Sequence, residues 1–233
     1  MNSFIKTTLL LFLYLIAGFI QAGETAGATQ TKKGSSKFSA EDRAIMQRSA
    51  SSLAEKMPAP GLRVGEKAPD FTLPNAFGMP VSLYKELKKG PVVLVFYRGA
   101  WCPFCNLHLH ELKKAQPEFV RYAAQLITIT PQKPDRSAQQ IRKDDYSFEV
   151  LSDLDSKVMK AFRLYYELDP ELNEVYLKHG LDIAAYNGPG RTVLPVPGSF
   201  VIDKSGIVRA MHADTDYKQR MATSEIIKAL KDL

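Results

Sequence analysis

Trp101-Cys102-Pro103-Phe104-Cys105 holds both cysteines of this 233-residue chain. Two thiols at Cys-x-x-Cys spacing can close a small disulfide within one helical turn. Upstream, Pro91 to Tyr97 is a short apolar run of branched and aromatic residues bounded by Gly90 and Gly99, and it reads as a buried strand. Downstream, Asn106 to Phe119 places Leu107, Leu109, Leu112 and Ala115 near one helical stripe. The pair therefore sits where a strand hands over to a helix, close to an N-terminus whose unpaired N–H groups favour a thiolate. Redox chemistry is the first reading. An inert structural pair is the second. A metal site is the third: two thiolates with His108, three positions beyond Cys105, would suit Cu(I) or Zn, although no clear fourth ligand shows.

The elements that position this pair follow from the rest of the chain. Its 45% hydrophobic content is enough for a real core, and two cysteines are too few for a disulfide-stapled scaffold. The net charge of +6 is spread over scattered doublets such as Lys32-Lys33, Lys88-Lys89 and Lys113-Lys114. That pattern reads as a soluble basic surface, with no nucleic-acid partner. Residues 1–22 read as a signal peptide: Lys6 precedes the apolar run Leu9 to Ile20, and Ala22 offers a small residue for cleavage. The run is shorter than the roughly twenty residues of a membrane span. A membrane role arises only if this segment stays uncleaved. The mature chain is expected to be exported, to a periplasm or beyond, where a dithiol needs a dedicated donor to remain reduced.

Residues 23–61 read as a polar linker followed by a helix, with Ser39 and Asp42 at capping-box spacing and a thin apolar face of Ile45, Met46, Leu53 and Met57. This helix is a tether or an embellishment of the domain at 62–233. Beyond the cysteine helix, Gln125 to Pro131 reads as a strand, Ser137 to Lys143 as a helix and Phe148 to Asp153 as a short strand. Ser156 to Tyr166 reads as one helix and Asp169 to His179 as another. Gly180 to Leu194 reads as irregular. Ser199 to Asp203 and Ile207 to Ala210 form a hairpin across Lys204-Ser205-Gly206, before a closing helix from Ser224 to Leu233. Crossover helices imply parallel strands, and the hairpin adds antiparallel ones. The fold class is α/β, a central mixed sheet with helices on both faces and an N-terminal helical extension.

Four segments in this order resemble the alkyl hydroperoxide reductase/thiol-specific antioxidant (AhpC/TSA) group, the peroxiredoxin-like branch of the thioredoxin-fold suprafamily. Gly65 to Leu73 is similar to its G-x-x-A-P-D-F-x-L signature. Val93 to Cys105 resembles its active-site strand and turn. Pro197 to Asp203 resembles the strand facing the site, and His212 to Ile226 the family's tail. The likeness spans about Leu62 to Leu233 and implies a thioredoxin-like fold.

The resemblance implies a thiol peroxidase that reduces a hydroperoxide, uses a thioredoxin-type donor and needs no cofactor. Against the peroxiredoxin pattern P-x-x-x-T-x-x-C, Cys105 takes the attacking place and Cys102 the threonine place. Against the thioredoxin pattern W-C-x-x-C, Cys102 attacks and Cys105 resolves. Arg98 stands where the peroxiredoxin motif has proline. At the facing strand, where a peroxiredoxin usually has arginine, there is Val196-Pro197, which resembles the cis-proline of thioredoxins. A sulfenic acid formed on one cysteine must condense with the other, giving a Cys102–Cys105 disulfide. Arg98 is the first candidate for stabilising the thiolate, with a plain surface residue as its other reading, and Arg191 is the second candidate. Pro103 stiffens the turn and Trp101 covers the pair. The runner-up activity is thiol–disulfide exchange on exported proteins. The insert from Tyr166 to Tyr186 reads as a surface helix, with the lining of an access groove as the other reading.

Overall fold

The computed structural model describes residues 38–233. The expected signal peptide and residues 23–37 of the expected linker lie outside the described residues. In chain order the elements are α1 (Ala40–Lys56), β1 (Thr72–Pro74), β2 (Pro80–Ser82), α2 (Leu83–Leu87), β3 (Val92–Phe96), α3 (Pro103–Arg121), β4 (Gln125–Thr130), α4 (Pro134–Asp144) and β5 (Glu149–Ser152). They continue with α5 (Lys157–Ala161), β6 (Tyr165–Glu167), α6 (Pro170–Lys178), α7 (Ile183–Asn187), β7 (Val193–Pro195), β8 (Gly198–Ile202), β9 (Val208–Ala213) and α8 (Thr223–Lys231).

The central sheet has the order β5-β4-β3-β8-β9. β3, β4 and β5 pair in parallel, as their crossover helices α3 and α4 require, and β8 and β9 add antiparallel pairs. Every residue of β3 is buried because the strand is covered on both faces. Val92, Leu94 and Phe96 face a core shared with Leu83 and Leu87 of α2 and with Val158 and Met159 of α5. Val93, Val95 and Tyr97 face the opposite core, with Leu109, Leu112 and Phe119 of α3 and Ile226 and Leu230 of α8. The structure is the α/β, thioredoxin-like arrangement with helices on both faces.

Two local readings are corrected. The single helix expected from Ser156 to Tyr166 stops at Ala161, since Arg163 takes a left-handed φ of 58°. Tyr165 to Glu167 then pair with Val193 to Pro195 as an antiparallel ribbon. Those distant partners could not be seen in a local periodicity, and they also give strand structure to the segment read as irregular. Within that segment α7 forms because Asp182 caps it, accepting from the Ala185 N–H at 3.3 Å. In α1 the Ser39–Asp42 capping box forms. Its thin apolar face of Ile45, Met46, Leu53 and Met57 is half-buried, with Leu53 and Met57 against the core, and the one buried residue of the helix is Asp42.

Candidate active site

The turn between β3 and α3 is shaped by two residues. Gly99 sits at φ +151°, and a Cβ there would lie 2.5 Å from the Trp101 indole nitrogen, so any larger residue displaces Trp101. Pro103 occupies the first turn of α3, where its fixed φ suits the helix and its missing N–H costs nothing. Cys102 is the N-cap, its N–H bonded to the Gly99 carbonyl at 3.1 Å, and Cys105 is one turn into the helix. Both are free thiols and both are buried.

A closed ring of buried and half-buried polar groups holds the turn from behind. The Ala100 N–H donates to Gln132 Oε1 at 3.1 Å, and Gln132 Nε2 donates to the Tyr97 hydroxyl at 3.2 Å and to Ser137 Oγ at 3.0 Å. The Tyr97 hydroxyl donates to Gln140 Oε1 at 2.9 Å, Gln140 Nε2 to Asn106 Oδ1 at 2.9 Å, and Asn106 Nδ2 to the Ala100 carbonyl at 2.8 Å. Both backbone groups of Ala100 are thereby fixed. Neither glutamine announces itself in the sequence, because a buried amide and a solvated one look alike there.

The two thiols diverge in acidity. Burial pushes Cys105 up, but a hydrogen bond from Cys102 and the charges of Arg220 and Arg98 more than offset it, so its pKa lies below that of an ordinary thiol. Arg220 Nη2 lies 3.4 Å from Cys105 Sγ. Cys102 moves the other way, raised by its hydrogen bond to Cys105, by burial and by the neighbouring negative charge. The arrangement is a Cys105 thiolate served by a Cys102 S–H donor. Arg220 was missed as a site residue. It lies in the tail segment that resembles the family's, and it supplies a guanidinium of the kind that Val196-Pro197 lacks.

The other expected residues sort as follows. Arg98 is buried, and its surface reading is wrong: the guanidinium sits 4.8 Å from the Trp101 ring and 4.5 Å from the Tyr217 ring, with Nη2 donating to the Tyr176 hydroxyl at 2.9 Å. It has no carboxylate partner among the described residues. Tyr176 belongs to the insert read as a surface helix, so that segment reaches the site. Arg191 instead binds Ser156 Oγ and the Asp153 carbonyl, away from the cysteines. Pro197 is buried and precedes Gly198, which pairs with Phe96, so it lies at the strand end that carries Tyr97. His108 is buried, with Nε2 unpaired, among Arg220, His212 and the Met221 backbone. Among the described residues no group of three or more His, Cys, Asp or Glu could hold a metal ion.

The AhpC/TSA family model matches residues 64–211. A Mycobacterium tuberculosis protein named as a peroxiredoxin is 30% identical over 173 residues, covering 74% of this chain and 95% of its own length. The thioredoxin-like protein YneN of Bacillus subtilis is 25% identical over 165 residues, covering 69% of this chain and 78% of its own length. Among solved structures, peroxidoxin BcpB from Mycobacterium tuberculosis has a TM-score of 0.58 at 22% identity, covering 74% of this chain and 98% of that one, a likeness of fold. The chain belongs to the AhpC/TSA family, as a thioredoxin-fold oxidoreductase of the peroxiredoxin type.

Proposed function

We propose that this peroxiredoxin-type thiol peroxidase works outside the cytoplasm, with Cys105 attacking the hydroperoxide and Cys102 resolving it. The observation that carries the assignment is the Arg220 guanidinium 3.4 Å from Cys105 Sγ. The Cys105 thiolate attacks the terminal peroxide oxygen, the O–O bond breaks, and the departing alkoxide or hydroxide takes up a proton to leave as alcohol or water. Cys105 becomes a sulfenic acid. The Cys102 sulfur then displaces its hydroxyl as water, forming the Cys102–Cys105 disulfide. Two electrons from a thioredoxin-type dithiol restore both thiols. A yeast mitochondrial 1-Cys peroxiredoxin of similar fold, whose thiol is resolved via glutathione/thioredoxin systems, supports that class of donor. In this scheme Arg98 and Arg220 steady the thiolate and the leaving oxygen, Trp101 covers the pair, Pro103 sets the helix start and Pro197 borders the donor's approach. Export rests on Lys6, the apolar run Leu9 to Ile20 and Ala22.

The test is peroxide consumption by the purified protein with thioredoxin, its reductase and NADPH, beside Cys105→Ser and Cys102→Ser. Loss of turnover in both variants, with a sulfenic acid trapped only in Cys102→Ser, is the expected result. Oxidation of Cys105→Ser by peroxide at the wild-type rate overturns the order of attack. The second reading, thiol–disulfide exchange led by Cys102, is favoured by the W-C-x-x-C spacing. Insulin reduction without peroxide turnover would establish it. Cell fractionation tests the export step, and retention in the cytosol would refute it.

A further inference from the structure

Both cysteines are shut away from solvent, and the chain's sole tryptophan, Trp101, belongs to the wall that closes them. α6 completes that wall. The Tyr176 hydroxyl accepts from Arg98 at 2.9 Å and its ring centroid lies 6.4 Å from that of Trp101. Leu172 and Tyr176 pack with Trp101 around Leu168, Ile183 and Leu194. Two residues further along, α6 turns to α1. There Lys178 Nζ reaches the two Asp42 carboxylate oxygens at 2.9 and 3.2 Å, His179 Nε2 meets Oδ2 at 3.0 Å, and the Phe38 ring packs, tilted, with its centroid 4.5 Å from that of the His179 ring. Asp42 is buried, so its charge requires these partners, and His179 and then Lys178 hold its carboxyl well below the usual carboxylate range. The other ion pair between the two helices, Arg48–Glu171, is solvent-exposed and contributes little.

We propose that Asp42 is a positioning residue for the dithiol: it pins the C-terminal end of α6, and through Tyr176 keeps Arg98 and Trp101 in place over Cys102 and Cys105. The path is a contiguous set of hydrogen-bonded and packed groups, the physical form that coupling between distant positions requires. It lies partly outside residues 64–211, the span the family model matches. The inference holds whichever oxidant the pair meets, because it concerns access to the thiols.

The experiment uses the full reduced chain and compares Asp42→Ala, Tyr176→Phe, the double variant and the control Arg48→Ala. Two signals are read: acrylamide quenching of Trp101 fluorescence and the alkylation rate of the dithiol. Asp42→Ala is expected to raise quenching and to speed alkylation by about fivefold, the low end of ordinary site-to-site coupling. Arg48→Ala should change neither signal, and the double variant should do no more than the larger single one. Wild-type quenching and alkylation in Asp42→Ala overturn the proposal, and so do independent, multiplying effects of Asp42→Ala and Tyr176→Phe. If Asp42→Ala is not folded at the assay temperature, Asp42→Asn, which keeps the side chain's size and removes its charge, carries the same outcomes.

Discussion

The two cysteines and the charges that act on them come from regions built in different ways. Residues 91–121 are one continuous strand, turn and helix, and the contacts that shape the turn itself are local: Gly99 clearing space for Trp101, Pro103 opening α3, and the Cys102 N–H on the Gly99 carbonyl, with Gln132 and Gln140 bracing it from behind. Tyr176 comes from the insert at α6 and Arg220 from the connection between β9 and α8, and they reach the site because the chain folds back. The local region gives both thiols the same helix end and the same burial, yet their acidities move in opposite directions. The helix N-terminus therefore does not choose between them. The hydrogen bond from Cys102, followed by the charges of Arg220 and Arg98, lowers the Cys105 thiol, and Arg220 is the charge that acts on Cys105 from outside this region.

The largest expected effect is on the local region. Cys105→Ser should abolish peroxide turnover, whereas Cys102→Ser should still react once and stop, as seen by mass spectrometry of the trapped sulfenic acid. Next comes the remote region. Arg220→Met should slow the reaction of Cys105 with hydrogen peroxide by about 10²–10³-fold, the usual cost of removing one preorganised charge donor. It should also move the pH profile of Cys105 alkylation. The reactive thiolate exists above the folded pKa and is lost as pH falls through it, so a thiol held below its ordinary value keeps its reactivity to lower pH. Without Arg220 that loss should occur at higher pH. An unchanged midpoint would show that the helix end suffices and would erase the contrast between the regions.

His108 joins the two regions, since it belongs to α3 and lies among Arg220, His212 and the Met221 backbone. Burial, followed by the Arg220 charge, lowers its pKa from 6.5 to about 4. The unfolded chain therefore binds a proton between those values that the folded chain refuses, and stability falls as pH drops from about 6.5 to about 4. The full loss is about 3 kcal/mol at 1.36 kcal/mol per unit. His108→Leu should flatten this slope, as read from urea midpoints between pH 4.5 and 7. A slope unchanged by the substitution would assign the acid sensitivity to other groups.

What was legible in the sequence follows the same division. The succession of strands and crossover helices, the strand that feeds the cysteines and the cap of α1 were readable because periodicity, turn residues and capping boxes are local signals. β6 and β7 were not, since each becomes a strand only by pairing with the other across the insert. Arg98 was singled out by its nearness in sequence to the cysteines. Its burial among Trp101, Tyr176 and Tyr217 could not be foreseen, because two of those rings arrive from elsewhere in the chain. Arg220 stood in a quoted motif without an assigned part, as one basic residue among several in a polar tail. Only its distance from Cys105 Sγ distinguishes it.

The smallest effect concerns the scaffold behind the turn, where geometry and charge can be separated. Gln140 donates to Asn106 and accepts from Tyr97, and carries no charge. Gln140→Leu strands a buried phenolic donor and an amide oxygen, at a cost of about 1–3 kcal/mol for unsatisfied groups. Ala100 stays tied to Gln132 through its N–H and to Asn106 through its carbonyl, so the turn should keep its place. The expected outcome is a lower urea midpoint with little change in the pH profile of Cys105 alkylation. A profile displaced as far as in Arg220→Met would mean that the scaffold behind the turn, through the placement of the helix end, controls the thiolate after all. A lowered midpoint with an intact profile would confine this scaffold to position and leave the acidity of Cys105 to Cys102 and the arginine charges around it.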